Sequence, residues 1–149
     1  MIRLRHWHGA LFAAILLPCL LKADLASVKS ESNLERRSER ALDNASLAID
    51  AAREASQKGS ASQFETALQE LQDSVELSFN SLQQTGKAAR SSPKYFKRAE
   101  LKTRALLKRL DTLESEIPYD ERAKLAGVKK RLHEINDQLV LDIMTKKKK

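Results

Sequence analysis

Residues 125–143 read LAGVKKRLHEINDQLVLDI, and the apolar Leu125, Val128, Leu132, Ile135, Leu139 and Ile143 recur at steps of three and four. That step follows one face of an α-helix, whereas a half-buried strand would alternate every second residue. The residues between them are mostly Lys, Arg, Glu, Asp and Gln, so the stretch predicts a helix with one buried stripe and a solvated back. Toward the amino terminus the pattern stops at Pro118, because proline disfavours helical geometry in the residue before it. Asp120 is the expected cap of this last helix.

Three further stretches carry the same step. One is expected from about Val28 to Lys58, with a stripe of Leu34, Ser38, Ala41, Ala45, Ala48, Ala52 and Ala55, widened by Leu42 and Ile49. Its alanines bury little area each, so this helix is expected to be the loosest. Gly59 marks its end, and Ser62 to Glu65 reads as a capping box that starts a second helix along Phe64, Leu68, Leu71, Val75, Ser78 and Leu82, ending near Gly86. A third begins with Ser92 as cap and Pro93 at the first helical position, and its stripe is Phe96, Ala99, Thr103, Leu106, Leu110, Leu113 and Ile117.

A helix with one apolar face must bury it against another element, and short loops bring consecutive helices together. The expected fold is therefore all-α: an antiparallel four-helix bundle made of two helical hairpins, joined by the longer connection from Gly86 to Ser92. A spectrin-like array and a dimer of hairpins are the alternatives. No internal sequence repeat is evident. With 4 glycines, 3 prolines and 5% aromatics in 149 residues, collagen-like, many-turned β and linker classes are excluded.

The amino terminus reads differently. Arg3 and Arg5 precede an apolar run from Ala10 to Leu21, and Lys22 and Ala23 follow, the layout of a secretory signal peptide cut after Ala23. The run falls short of the roughly 20 apolar residues a spanning helix needs. An uncleaved anchor and lipidation of Cys19 are the rival readings, the latter disfavoured by Leu16, Leu17 and Pro18 ahead of the cysteine. The domains are thus 1–23 signal peptide, 24–145 bundle and 146–149 a disordered basic tail. Cys19 is the one cysteine, so disulfide frameworks and cysteine-rich zinc modules are excluded.

The formal charge of +7 shrinks once the leader is set aside, since Arg3, Arg5 and Lys22 carry three of those charges and Lys146 to Lys149 the other four. Residues 24–145 hold 20 bases and 20 acids, which removes most support for nucleic-acid binding. They divide unevenly: residues 24–86 carry −5 and residues 87–145 carry +5. Docking of one half on the other is the first reading of that division. The second is a basic ridge of Lys87, Arg90, Lys94, Lys97, Arg98 and Lys102 that meets an anionic partner, with Tyr95 and Phe96 interleaved.

No constellation for chemistry stands out. His133 is the only histidine after residue 23 and lacks a second histidine at metal-binding spacing; there is no Gly-x-Ser-x-Gly elbow and no phosphate-binding glycine loop. No cofactor, no metal and no catalytic residue are expected. The expected function is that of a secreted or periplasmic helical binding or scaffold protein of the cell envelope, not an enzyme. Its partner would be a protein or an anionic envelope component, without nucleic acid, with weak membrane-surface contact and a homodimer as further outcomes. A periplasmic chaperone or stress sensor, or a ligand- or metal-carrying bundle, is the alternative.

Overall fold

The computed structural model describes residues 23–145; residues 1–22 and 146–149, which hold nearly all of the expected leader and the lysine tail, lie outside the described residues. The described chain forms five helices, α1 (Leu25–Lys29), α2 (Leu34–Gln57), α3 (Ala61–Gln84), α4 (Pro93–Glu116) and α5 (Tyr119–Met144), packed together. None is long and apolar enough to cross a membrane.

The expected first helix is interrupted. Asp24 caps the short α1 by accepting from the Ala26 and Ser27 N–H groups, and the chain then turns so that Asn33 Oδ1 accepts from Arg36 N at 2.9 Å and starts α2. Asn33 thus does locally what no apolar period reveals. Two expected caps are also corrected. α3 begins at Ala61 with no side-chain cap bond, Ser62 lies inside its first turn, and Glu65 turns to Lys124 instead. Likewise Asp120 sits within the first turn of α5 behind Pro118, where its charge suits the helix dipole. Ser92 and Pro93 do start α4, although the serine side chain makes no cap bond. Gly59, at φ +67°, closes α2: its N–H donates to Ser56 O and the Ser60 N–H reaches back to Ala55 O, both at 2.9 Å.

The alanine-rich helix, expected to gain little from each buried side chain, has its backbone drawn against α3 more extensively than any other pair of described helices. Ala41, Ala45, Ala48, Ala52 and Ala55 are buried along α2, facing Ala67, Ser74, Ser78 and Ser81 on α3. Small side chains lose area each but let many backbone atoms meet, so dispersion replaces bulk. The seam's hydroxyls are satisfied: Ser38 and Ser78 share a 2.8 Å hydrogen bond, and Ser74 and Ser81 donate to carbonyls one turn back.

Each hairpin, α2–α3 and α4–α5, is antiparallel within itself. Between hairpins the neighbours run the same way, α2 beside α4 and α3 beside α5. The ion pairs Glu39–Arg98 and Asp50–Arg109 step forward together along α2 and α4, and Glu65–Lys124 and Glu76–Arg131 do so along α3 and α5. Phe64, Leu71, Leu110, Leu113, Leu125, Leu132 and Leu139 fill the interior, and Ala89 of the 85–92 connection closes one end. The order is layered: α1 lies on the first hairpin, through Leu25 and Val28 on Ala41 and Leu77, and the second hairpin lies on its other side.

Candidate functional site

The basic ridge does not stand as one surface. Lys87 Nζ lies 2.6 Å from Glu35 Oε1, Arg98 pairs with Glu39, and Lys102 Nζ lies 2.5 Å from Asp43. These three face α2 and bind the halves together, and the bond from Glu35 holds the Lys87 ammonium above its ordinary range. Arg109 extends the seam with Asp50 at 2.5 Å, and Arg53 Nε meets Glu116 at 2.8 Å. On the α3–α5 side, Glu65 raises the pKa of Lys124 and Glu76 that of Arg131, each mainly through its hydrogen bond. Lys129 of α5 is likewise raised, bonded by Asp111 and Glu114 of α4. The division of charge in the sequence is thus largely consumed inside the molecule.

Arg90, Lys94 and Lys97 remain. All are exposed and have no acidic partner among the described residues; Lys94 Nζ instead lies 5.7 Å from the centre of the Tyr95 ring. Arg90 and Lys97 each border a concavity. One is a cleft of about 620 Å³ between the 85–92 connection and the end of α5, lined among others by Lys87, Ala89, Arg90, Phe96, Leu141 and Asp142. The other is a groove of about 260 Å³ on the outer face of α4 and α5, lined by Lys97, Glu100, Leu101, Arg104, Val140, Ile143 and Met144. Glu100 is 6% exposed, and Arg104 one turn on neutralises it with an ion pair.

The apolar part of this surface escaped sequence reasoning. Leu101 is 58% exposed, Leu141 57% and Met144 73%. The available signal was the run Leu139, Val140, Leu141 followed by Ile143 and Met144, too many apolar residues for a single stripe. His133 is exposed beside the buried Leu132, and no group of three metal-ligating side chains occurs among the described residues. Among the described residues, the buried Thr103 Oγ1 and Asn136 Oδ1 have no hydrogen-bond partner. Compared with models of protein families, with curated proteins and with solved structures, the chain matches none.

Proposed function

We propose that the chain is a helical binding or scaffold protein of the cell envelope, secreted or periplasmic after its leader is cut near Ala23, and that it acts through the outer α4–α5 face and not by catalysis. In this reading the five helices are a four-helix bundle of two hairpins, with α1 as a clip. The observation that carries the proposal is the pairing of Arg90, Lys94 and Lys97, which lack acids, with the exposed Leu101, Leu141 and Met144.

The layering supports it. Buried positions of α2 recur 58 residues later in α4, as Ser38, Ala41, Leu42 and Ala45 do at Phe96, Ala99, Glu100 and Thr103. By the same offset, Glu39 and Asp43, which face the second hairpin, correspond to Lys97 and Leu101. The outer face is thus the positional equivalent of a surface on which a helical hairpin already packs, with one acid replaced by a base and the other by an apolar side chain. It fits an amphipathic helix whose rim is acidic, the helix-in-groove mode of recognition.

The test is crosslinking with mass spectrometry in intact cells, comparing the wild type with Arg90→Glu, Lys94→Glu and Lys97→Glu combined. Loss of crosslinks from this face at an unchanged melting temperature is expected. The same crosslinks from the reversed protein would remove the face from the argument. A ligand-carrying reading rests on the cleft between Ala89, Phe96 and Leu141, with Arg90 at its border. Thermal shifts with anionic against neutral amphiphiles test that reading, and a flat response dismisses it.

A further inference from the structure

The start of the described chain is held by side chains far along the sequence. The Asp24 N–H donates to Asn44 Oδ1 at 2.6 Å, and the Leu25 N–H donates to Glu70 Oε1 at 2.8 Å. Asn44 Nδ2 donates to the same Glu70 oxygen at 2.8 Å and to Ser74 Oγ at 2.9 Å. Asn44 and Ser74 are buried and Glu70 is half-buried. Three half-buried acids of the α2–α3 hairpin meet bases, Glu35 with Lys87, Glu39 with Arg98 and Glu76 with Arg131, whereas Asp73 and Glu70 accept from neutral donors. Glu70 has neutral donors and no cation among the described residues.

A carboxylate drawn partly out of water is costly unless an opposite charge meets it. Hydrolysis of the Ala23–Asp24 bond by an external peptidase supplies one. It consumes a water, leaves the carboxylate on Ala23 of the leader and puts a primary ammonium on Asp24. That nitrogen already lies on Asn44 Oδ1, one residue from the Glu70 contact, and it then carries three donors in place of one. Ala23 rests partly buried against the core at this point, so its departure leaves space for the added N–H groups.

We propose that Asn44, Glu70 and Ser74 form a receptor for the primary ammonium of the chain's own processed amino terminus. Cutting before Asp24 is thereby coupled to firm seating of α1, whose Leu25 and Val28 cover the outer side of the α2–α3 seam. The proposal rests on removal of the leader after Ala23. The charged residues of the α1 segment, and those within four positions of Asn44 and Glu70, are Asp24 and Lys29, Arg40 and Asp43 of α2, and Glu70 and Asp73 of α3. Asp24 caps α1, Arg40 pairs with Glu31 and Asp43 with Lys102, while Asp73 and Glu70 accept from neutral donors; of these two, Glu70 holds the Leu25 N–H, next to the amine.

The experiment uses the full chain with a protease site across positions 19–23, cut after purification so that Asp24 carries a free amine. The α-amine is titrated by nitrogen NMR in the wild type and in Glu70→Gln, and melting temperatures are recorded before and after cutting. The expected amine pKa lies at least about one unit above the ordinary 7.7–8.0, a tenfold shift in its proton equilibrium. Glu70→Gln returns it to that range. Because the folded pKa is raised, the melting-temperature gain on cutting is full below the ordinary amine pKa and fades as pH rises through the raised value. A merely structural Glu70 would lower both melting temperatures equally and leave the amine alone. An ordinary amine pKa in the wild type overturns the proposal, whether or not Glu70→Gln folds. Host-made protein beginning elsewhere than Asp24, read by intact mass, overturns the leader reading and leaves the titration result standing.

Discussion

Reversing Arg98 and Lys102 together, as Arg98→Glu and Lys102→Glu, tests whether charge holds the two hairpins in register. Each opposes an acid on α2, Glu39 and Asp43 respectively, and the side chains are 46% and 37% exposed. At such exposure water screens the pair, so each contributes about 0.2–1 kcal/mol. Setting like charges face to face costs a similar amount again. The double reversal therefore destabilises by about 1–3 kcal/mol, a fall of about 3–15 °C for a domain of this size. The assay is thermal unfolding by far-UV circular dichroism at low salt and at about 1 M salt, where the Debye length shrinks to about 3 Å and most of the loss must vanish. Adding Glu39→Lys and Asp43→Lys restores the pairs with opposite polarity and recovers most of the low-salt stability. A loss that ignores salt, or one that the compensating reversal fails to recover, would show that these positions act through packing. Lys94→Glu and Lys97→Glu, lacking partners, stay within about 0.5 kcal/mol of the wild type in the same assay.

Other perturbations read other parts of the fold. Gly127 sits inside α5 with nothing within 4 Å of an added Cβ, so Gly127→Ala raises stability by about 0.5–1 kcal/mol in a denaturant titration. Gly59→Ala, at φ +67°, lowers it by about 1–2 kcal/mol, and equal signs for the two would contradict the backbone assignment. Thr103→Val removes a buried hydroxyl without a partner and stabilises by about 1 kcal/mol; a loss would reveal a hydrogen bond at that site. Ala48→Leu forces the α2–α3 seam apart and costs about 1–3 kcal/mol, whereas a neutral result would mean that the seam has room. Lys124 and Lys129 have raised pKa values in the folded state, so their contribution is present below pH 10.5 and is lost as pH climbs through the raised values. Melting temperature must therefore fall at strongly alkaline pH, and a flat profile there would refute the pairings.

The helices were legible because burial of one face leaves a period of three and four, and Phe96, Ala99, Thr103, Leu106 and Leu110 lie on α4 where that period puts them. Element ends were less so. A cap is a single side chain choosing among nearby N–H groups, and Asn33 was overlooked while Ser62 and Asp120 were given roles they do not take. The close α2–α3 seam follows from small side chains, whose alanine and serine spacing is legible but whose neighbour is not. The basic ridge was written into the sequence as spacing, yet spacing of four on one helix cannot say which neighbour lies opposite. Lys94 and Lys97 are one turn or less from Arg98 and still point to different fates, one set open and the other paired with α2. The hairpin correspondence was hidden because it conserves burial and not identity: Ala48 matches Leu106 and Ala52 matches Leu110.

That difference in size also bears on how the hairpins choose their orientation. Both present an apolar face, and apolar burial is not directional, so it leaves like-directed and opposed stacking close in free energy. Charge breaks the tie. Glu39, Asp43 and Asp50 stand at steps of four and then seven along α2, and Arg98, Lys102 and Arg109 repeat those steps in the same order along α4. Opposed stacking would set seven against four and displace the middle pair by three residues, about 4.5 Å along the axis. Surface pairs of this kind add little to stability one by one, but an ordered set discriminates between two arrangements whose cores are otherwise comparable. Arg90, Lys94 and Lys97 of the basic cluster take no part in that choice and are exposed. The split of the basic cluster therefore follows from the stacking: Arg98 and Lys102, turned toward α2, pair with its acids, and Lys94 and Lys97, turned away, stay exposed.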